Sequence, residues 1–223
     1  MANKDKIKSV VIVGAGGCGK VTLEVVKNQN RASPIWNIMG FIDDNEELHG
    51  KEINGYPVLG GLDWLRQYSN DNLGCVVAID SCEIRKQVVA RLHGISINFY
   101  NAIDPLAIIE DFVEIGNDVV IQSQATLRVN SRIGDHVHIS TTALIGHEAI
   151  IGNYCTIAPR GDIDGKVRLD EGVYVGSHAV LLPGVSIGSW STIGAGAVVT
   201  KDIPKNAVAV GMPAKVIKRK TPL

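Results

Sequence analysis

The chain of 223 residues sets 22 Lys and Arg against 23 Asp and Glu, for a formal net charge of −1, and is 45% hydrophobic. That length suits one large or two small domains with a real core, and that hydrophobic content excludes a disordered chain. Near-neutral charge, with no basic block longer than the tail from Lys215 to Lys220, argues against a protein that binds the nucleic-acid backbone. No apolar run approaches the roughly 18–20 residues a membrane span needs. The polar, mixed-charge start from Met1 to Lys8 does not read as a secretory signal. Cys18, Cys75, Cys82 and Cys155 then read as reduced thiols of a cytoplasmic protein. The 24 glycines, set against three Trp, five Tyr and three Phe, imply a narrow aliphatic core and a recurring need for tight turns.

The first hundred residues alternate strand-like and helix-like segments. Ser9 to Val13 reads as a buried parallel strand, and Gly14 to Gly19 follows as a glycine-rich turn. Val21, Val25 and Val26 give Lys20 to Asn28 a helical spacing. Ile38 to Ile42 is a second strand ending in Asp43 and Asp44, and Leu62 to Tyr68 a second helix. Cys75 to Ile79 and Glu83 to Leu92 complete the pattern. Such alternation predicts a Rossmann-like α/β domain over residues 1–100, a small parallel sheet with crossover helices.

The segment Gly14-Ala15-Gly16-Gly17-Cys18-Gly19 fits G-x-G-x-x-G between a strand and a helix. Glycines there let a phosphate approach the backbone, and the helix start offers free N–H donors. Asp43, 24 residues past Gly19 at the next strand end, can accept a ribose hydroxyl. A nucleotide site is the expectation. A nicotinamide-dependent oxidoreductase is the rival, weakened because a second mononucleotide half is missing before residue 100.

From about residue 103 the period changes. Sixteen positions, every sixth residue from Ile109 to Val199, are all Ile, Leu or Val. Small or β-branched residues dominate four positions later, and glycine often follows the aliphatic directly, as at Gly116, Gly134, Gly146 and Gly176. A six-residue period is the signature of a hexapeptide parallel β-helix over residues 101–223. Three hexapeptides close one triangular coil, so residues 18 apart stack at about 4.8 Å.

This half resembles the left-handed β-helix of hexapeptide acyltransferases. VIVGAGGCGKV, MGFIDD, VVAID, EIRK, LIGHEAIIG, GAGAVVTKDIP and GMPAKVI together resemble the sialic-acid O-acetyltransferase/PglD-like family of sugar acyltransferases, over nearly the whole chain. The resemblance implies a homotrimer that binds a nucleotide-linked sugar in the first domain and acetyl-CoA along the β-helix. It implies Gly16, Gly17, Cys18, Asp43, Asp44 and Asp80 as substrate contacts, and Thr156, Ser177 and Ala195 as residues lining acetyl-CoA. Cys18 and Thr156 stand where the family usually has His, and Asp80 where it often has Gly.

Acetyl transfer needs a base for the attacking group and donors for the thioester oxyanion. His49 and His93 lie outside the matched motifs and read as surface residues, whereas His136, His138, His147 and His178 belong to the β-helix. His147 occupies an outward position of its hexapeptide, and the resemblance implies that it is the general base, assisted by Glu148. Because adjacent strand residues point to opposite faces, that assistance requires a turn. Stacking arithmetic puts Gly165, 18 residues on, beside His147 as a candidate oxyanion donor. His138 lies one coil below Thr156 and is a candidate to fill part of the space of the missing histidine.

Zinc bound through three histidines, as in γ-carbonic anhydrases, would require same-chain ligands separated by multiples of 18. No pair among His136, His138, His147 and His178 satisfies this, so no metal is expected. The expected function is acetyl-CoA-dependent N-acetylation of a nucleotide-linked amino deoxysugar by direct attack on the thioester. O-acetylation of sialic acid or another sugar, and a non-catalytic scaffold, are the alternatives.

Overall fold

The computed structural model describes residues 7–68 and 72–221. Strand β1 (Lys8–Val13) buries Val10, Val11 and Ile12 completely. Helix α1 (Gly17–Ala32) starts earlier than its apolar spacing predicts, because Gly17 to Gly19 form its first turn. Strand β2 (Trp36–Ile42) pairs parallel with β1. A short hairpin that the sequence pattern did not announce follows, β3 (Glu52–Ile53) and β4 (Tyr56–Gly60). It turns through Asn54 and Gly55, both at positive φ, as a tight hairpin requires. Helix α2 (Leu62–Tyr68) lies where predicted, and β5 (Leu73–Val77) ends two residues before the expected boundary. Helix α3 (Cys82–Leu92) is capped by Ser81, whose Oγ accepts the Ile84 N–H at 3.3 Å. Strand β6 (Asn98–Phe99) closes the sheet.

The sheet order is β3-β4-β2-β1-β5-β6, parallel except for the β3/β4 hairpin. The chain leaves β1 toward β2 on one side and returns at β5 on the other. A crevice therefore opens beyond the C-terminal ends of β1 and β5, where ligands bind such sheets.

From Ala102 the chain winds into a three-sided parallel β-helix. Two-residue rungs stack at intervals of 18, as in Val120 beside His138 and His138 beside Thr156. The first face runs from Ala102–Ile103 to Thr192–Ile193, the second from Ile108–Ile109 to Val198–Val199, and the third from Glu114–Ile115 to Ser186–Ile187. The hexad aliphatics fill the interior with their small partners, for example Ile139, Ala143, Ile145, Ala149, Ile151 and Cys155. Ile109 departs from the expected burial and is 39% exposed, because no coil lies beneath the first one to cover it.

The corners correct a simple view of the glycines. The left-handed corner position is held mainly by other residues, including Gln124, His136, Glu148, Tyr154 and Lys166, all at φ between 57° and 62°. Glycines directly after the aliphatics serve close approach instead. A Cβ on Gly152 would lie 2.8 Å from the Asp170 carbonyl carbon of the next coil.

The first face carries the α/β half. Ala102 and Val120 pack with Val10, Val25, Val26 and Val76, and Asn28 Nδ2 donates to Asp104 at 2.7 Å. The chain ends in Ala207–Val210, parallel to the Thr192 rung, and Lys215–Arg219, which returns antiparallel. Among the described residues no helix is long and apolar enough to cross a membrane.

Candidate functional site

All six predicted substrate contacts meet in one cleft of about 400 Å³ at the crevice of the sheet. Gly16, Gly17 and Cys18 form one wall, Asp43 and Asp44 a second, and Asp80 a third, with Leu62, Ile84 and Val88 adding apolar surface. The four glycines of this segment act differently. Gly14 has φ +105°, and a Cβ there would stand 2.8 Å from the Ala78 carbonyl oxygen; a Cβ on Gly19 would strike the Gly14 carbonyl. Gly16 and Gly17 have open space around them. The protein's own packing does not demand glycine there, but a ligand approaching the uncapped first turn of α1 would.

Asp43 holds this loop. Its Oδ2 accepts the Ala15 N–H at 2.8 Å and its Oδ1 the Asn45 N–H at 2.9 Å, while each oxygen keeps a further lone pair. Asp44 accepts from Leu62 N and Arg91 Nη1. Burial pushes its carboxyl up, but these two donors outweigh that and hold it below the usual range. His49 is exposed as expected, with Nε2 2.8 Å from the Asp43 carbonyl oxygen. Burial, then Asp80, pushes the Cys18 thiol up to about 11, which leaves it protonated near neutrality.

Beneath the cleft lies a polar layer whose centre, Arg85, sequence reasoning missed. Arg85 is fully buried, as are His138 and Thr156 to within 3%. A basic residue on an amphipathic helix reads as solvated, and nothing in its spacing announced burial. Thr156, expected beside acetyl-CoA, is instead covered by the α/β half. Its hydroxyl accepts from Arg85 at 3.0 Å and donates to the Asp80 carbonyl at 3.2 Å, so no face of it is open to a cofactor. His138 does border Thr156, and burial, then Arg85, holds its ring well below the usual range. His136 pairs with fully buried Asp118 at 2.7 Å.

A second group stands on the coil itself. His147 follows the Leu144–Ile145 rung and is 56% exposed at the corner between the second and third faces. Glu148 has φ +57°, the turn its proposed role required, and its carboxylate lies 3.6 Å from His147 Nδ1. Lys166, one coil on and unremarked in the sequence, stands 3.7 Å from the other oxygen of Glu148. Gly165 lies against the His147 ring, and a Cβ there would be 2.8 Å from Cε1. Ser177 and Ala195 stack one coil apart at the corner between the first and second faces, with the Gly196 N–H donating to the Ser177 carbonyl at 2.9 Å. The second face joins the two corners, and Asp162 lies on it, one side-chain oxygen enclosed without a hydrogen-bond partner. Among the described residues no group of three His, Cys, Asp or Glu could hold a metal ion.

Both halves have known relatives. The profile of the PglD N-terminal domain matches residues 9–92, and that of the bacterial transferase hexapeptide matches residues 166–201. The chain is 32% identical over 222 residues to GDP-perosamine N-acetyltransferase of Escherichia coli O157:H7, covering 93% of this chain and 96% of that protein. It is similar to the crystal structure of PerB from Caulobacter crescentus in complex with CoA and GDP-perosamine, with a TM-score of 0.87 at 29% identity, over 96% of this chain and 99% of that one. The acetyltransferase domain of PglB from Neisseria gonorrhoeae in complex with acetyl coenzyme A gives a TM-score of 0.86 at 26% identity, over 95% and 100%. With a relative above 30% identity aligned along nearly its full length, this chain belongs to the PglD-like family of hexapeptide-repeat sugar acetyltransferases.

Proposed function

We propose that this protein transfers an acetyl group from acetyl-CoA to the amine of a nucleotide-linked amino deoxysugar. One observation carries the reading: a nucleotide-type cleft with an open helix start occurs on the same chain as an outward His147 stacked on Gly165. Residues 1–100 would bind the nucleotide sugar and residues 101–223 would carry the acyl chemistry. The diphosphate sits at the N–H groups of Gly16, Gly17 and Cys18, with Asp43, Asp44 and Asp80 around the remaining polar groups. Acetyl-CoA runs from Ser177 and Ala195 across the second face toward His147.

His147 takes a proton as the amine attacks the thioester carbonyl, and Glu148 supports the charge that the ring gains. The carbon–nitrogen bond forms, and the oxyanion accepts the Gly165 N–H. The carbon–sulfur bond then breaks, and the proton on His147 passes to the leaving sulfur. No cysteine is needed as a nucleophile.

The working assembly is read as a homotrimer. His147 stands at the corner opposite the first face, and the first face is the one that carries the cleft. Each side of the coil spans six residues, on the order of 15–20 Å, so a sugar held in the cleft would meet a neighbouring chain's His147. Four free thiols fit a reducing, cytoplasmic setting, and the reaction fits glycan biosynthesis.

The test is thiol release from acetyl-CoA across UDP-, GDP- and dTDP-linked amino sugars. Turnover with at least one is expected, falling by about 10²-fold or more in His147→Ala. Full activity of that variant would remove the proposed base, and activity on free sialic acid alone would favour O-acetylation.

A further inference from the structure

Arg85 makes seven polar contacts without a carboxylate among its described partners. Nε donates to the His136 carbonyl at 2.9 Å. Nη1 donates to the carbonyls of Ile79 at 2.6 Å and Asp80 at 3.3 Å and to His138 Nδ1 at 3.3 Å. Nη2 donates to the carbonyls of Tyr154 and Cys155 at 2.7 and 3.0 Å and to Thr156 Oγ1 at 3.0 Å. A planar fork with five N–H groups can reach this many acceptors at once, and a lysine cannot.

The partners divide in a telling way. Ile79 and Asp80 belong to the loop after β5, which is one wall of the cleft, whereas His136, Tyr154, Cys155 and Thr156 belong to two successive coils. The glycine wall is tied to the same layer, because Cys18 Sγ rests 3.7 Å from His138 Nδ1. The Val77 carbonyl, 2.9 Å from His138 Nε2, can only accept, so Nε2 carries the proton and Nδ1 faces Arg85 and the Cys18 thiol as an acceptor. Two walls of the cleft are thus bolted to the first face through one buried guanidinium and one neutral imidazole.

We propose that Arg85 is a positioning residue that fixes where the cleft rides on the coil, and so where a bound sugar's amine arrives relative to the acetyl group. This rests on the acetyl-transfer reading above. Arg85 touches no part of the cleft's own phosphate loop, so its effect falls on presentation and not on capture of the nucleotide.

The experiment compares Arg85→Lys with the parent enzyme in nucleotide-sugar affinity by calorimetry, acetyl-CoA KM and kcat. Affinity and KM should stay within about threefold while kcat falls about 10- to 100-fold, as a displacement near 1 Å produces. Thr156→Val, which removes the hydroxyl's bonds to Arg85 and to the Asp80 carbonyl and keeps the shape, should lower kcat several-fold in the same pattern and serves if Arg85→Lys does not fold. Unchanged kcat, or a loss of kcat matched by an equal loss of nucleotide affinity, would overturn the proposal. Backbone hydrogen exchange gives a readout that needs no turnover. Residues 79–80 should exchange faster in Arg85→Lys, with the rungs from 180 to 199 unchanged. Unaltered protection of residues 79–80 sinks the clamp even if no acetyl transfer is found, so its failure is separable from that of the assigned reaction.

Discussion

His147 and Gly165 are coupled by space as well as by sequence distance. Absence of a side chain at 165 is what allows the imidazole to lie flat along the next coil, with Cε1 2.8 Å from where a Cβ would stand. Gly165→Ala keeps the backbone N–H but occupies the volume of the ring. Half of the ring surface already faces solvent, so it can swing outward with little loss of packing, and stability should change by less than about 1 kcal/mol. Activity should not survive so well. Displacing the proposed base by an ångström or more is expected to lower kcat about 10²-fold with acetyl-CoA KM nearly constant. Steady-state kinetics beside a thermal melt check this, and unchanged kcat would show that ring placement against Gly165 does not matter. That pair was legible in the sequence because a strict repeat converts 18 residues into one rung. Burial of Arg85 was not, because its coil partners His136 and Thr156 lie 51 and 71 residues away in the other half of the chain. His138 was legible as a neighbour of Thr156, but its bond to Val77, 61 residues away, was not.

At the scale of the hexapeptide, two glycine positions that look alike in sequence do different work. Gly152 has ordinary φ, but a Cβ there would press within 2.8–2.9 Å of three backbone atoms of the next coil. Gly184 sits at a corner with φ +77° and nothing within 4 Å. Lys166, one coil below it, already holds the same left-handed conformation at +62° with a side chain. Gly152→Ala should therefore cost about 1–3 kcal/mol through overpacking. For Gly184→Ala the left-handed penalty is partly offset by a less disordered unfolded chain, and the cost stays near 1 kcal/mol. Melting midpoints at one fixed chain concentration decide it, and equal shifts would contradict the division of roles. The rungs themselves were legible because one face of every two-residue strand must be aliphatic. The β3/β4 hairpin and the closing strands Ala207–Val210 and Lys215–Arg219 were not, since each lies outside any repeat and the last is exposed throughout.

Over the whole molecule, a triangular cross-section with one face occupied separates the cleft from His147. The α/β half covers the first face, and the corner bearing His147 is the one that face does not touch. A ring of three copies resolves this when each cleft serves the next chain's histidine, a heterologous contact that closes. Two inactive variants then should rescue each other. Gly17→Glu places a carboxylate in open space at the start of α1, where it would repel the proposed diphosphate without a steric cost, and His147→Ala removes the proposed base. Each alone should transfer acetyl groups at under about 1% of the parent rate. In trimers assembled at random from equal amounts, an intact cleft meets an intact histidine across one boundary in about four, so mixed trimers should regain about one quarter of the parent activity per chain. Sites confined to single chains would regain nothing, because every chain carries one of the two defects. A monomeric hydrodynamic size for the parent enzyme would overturn the arrangement before any mixing was tried.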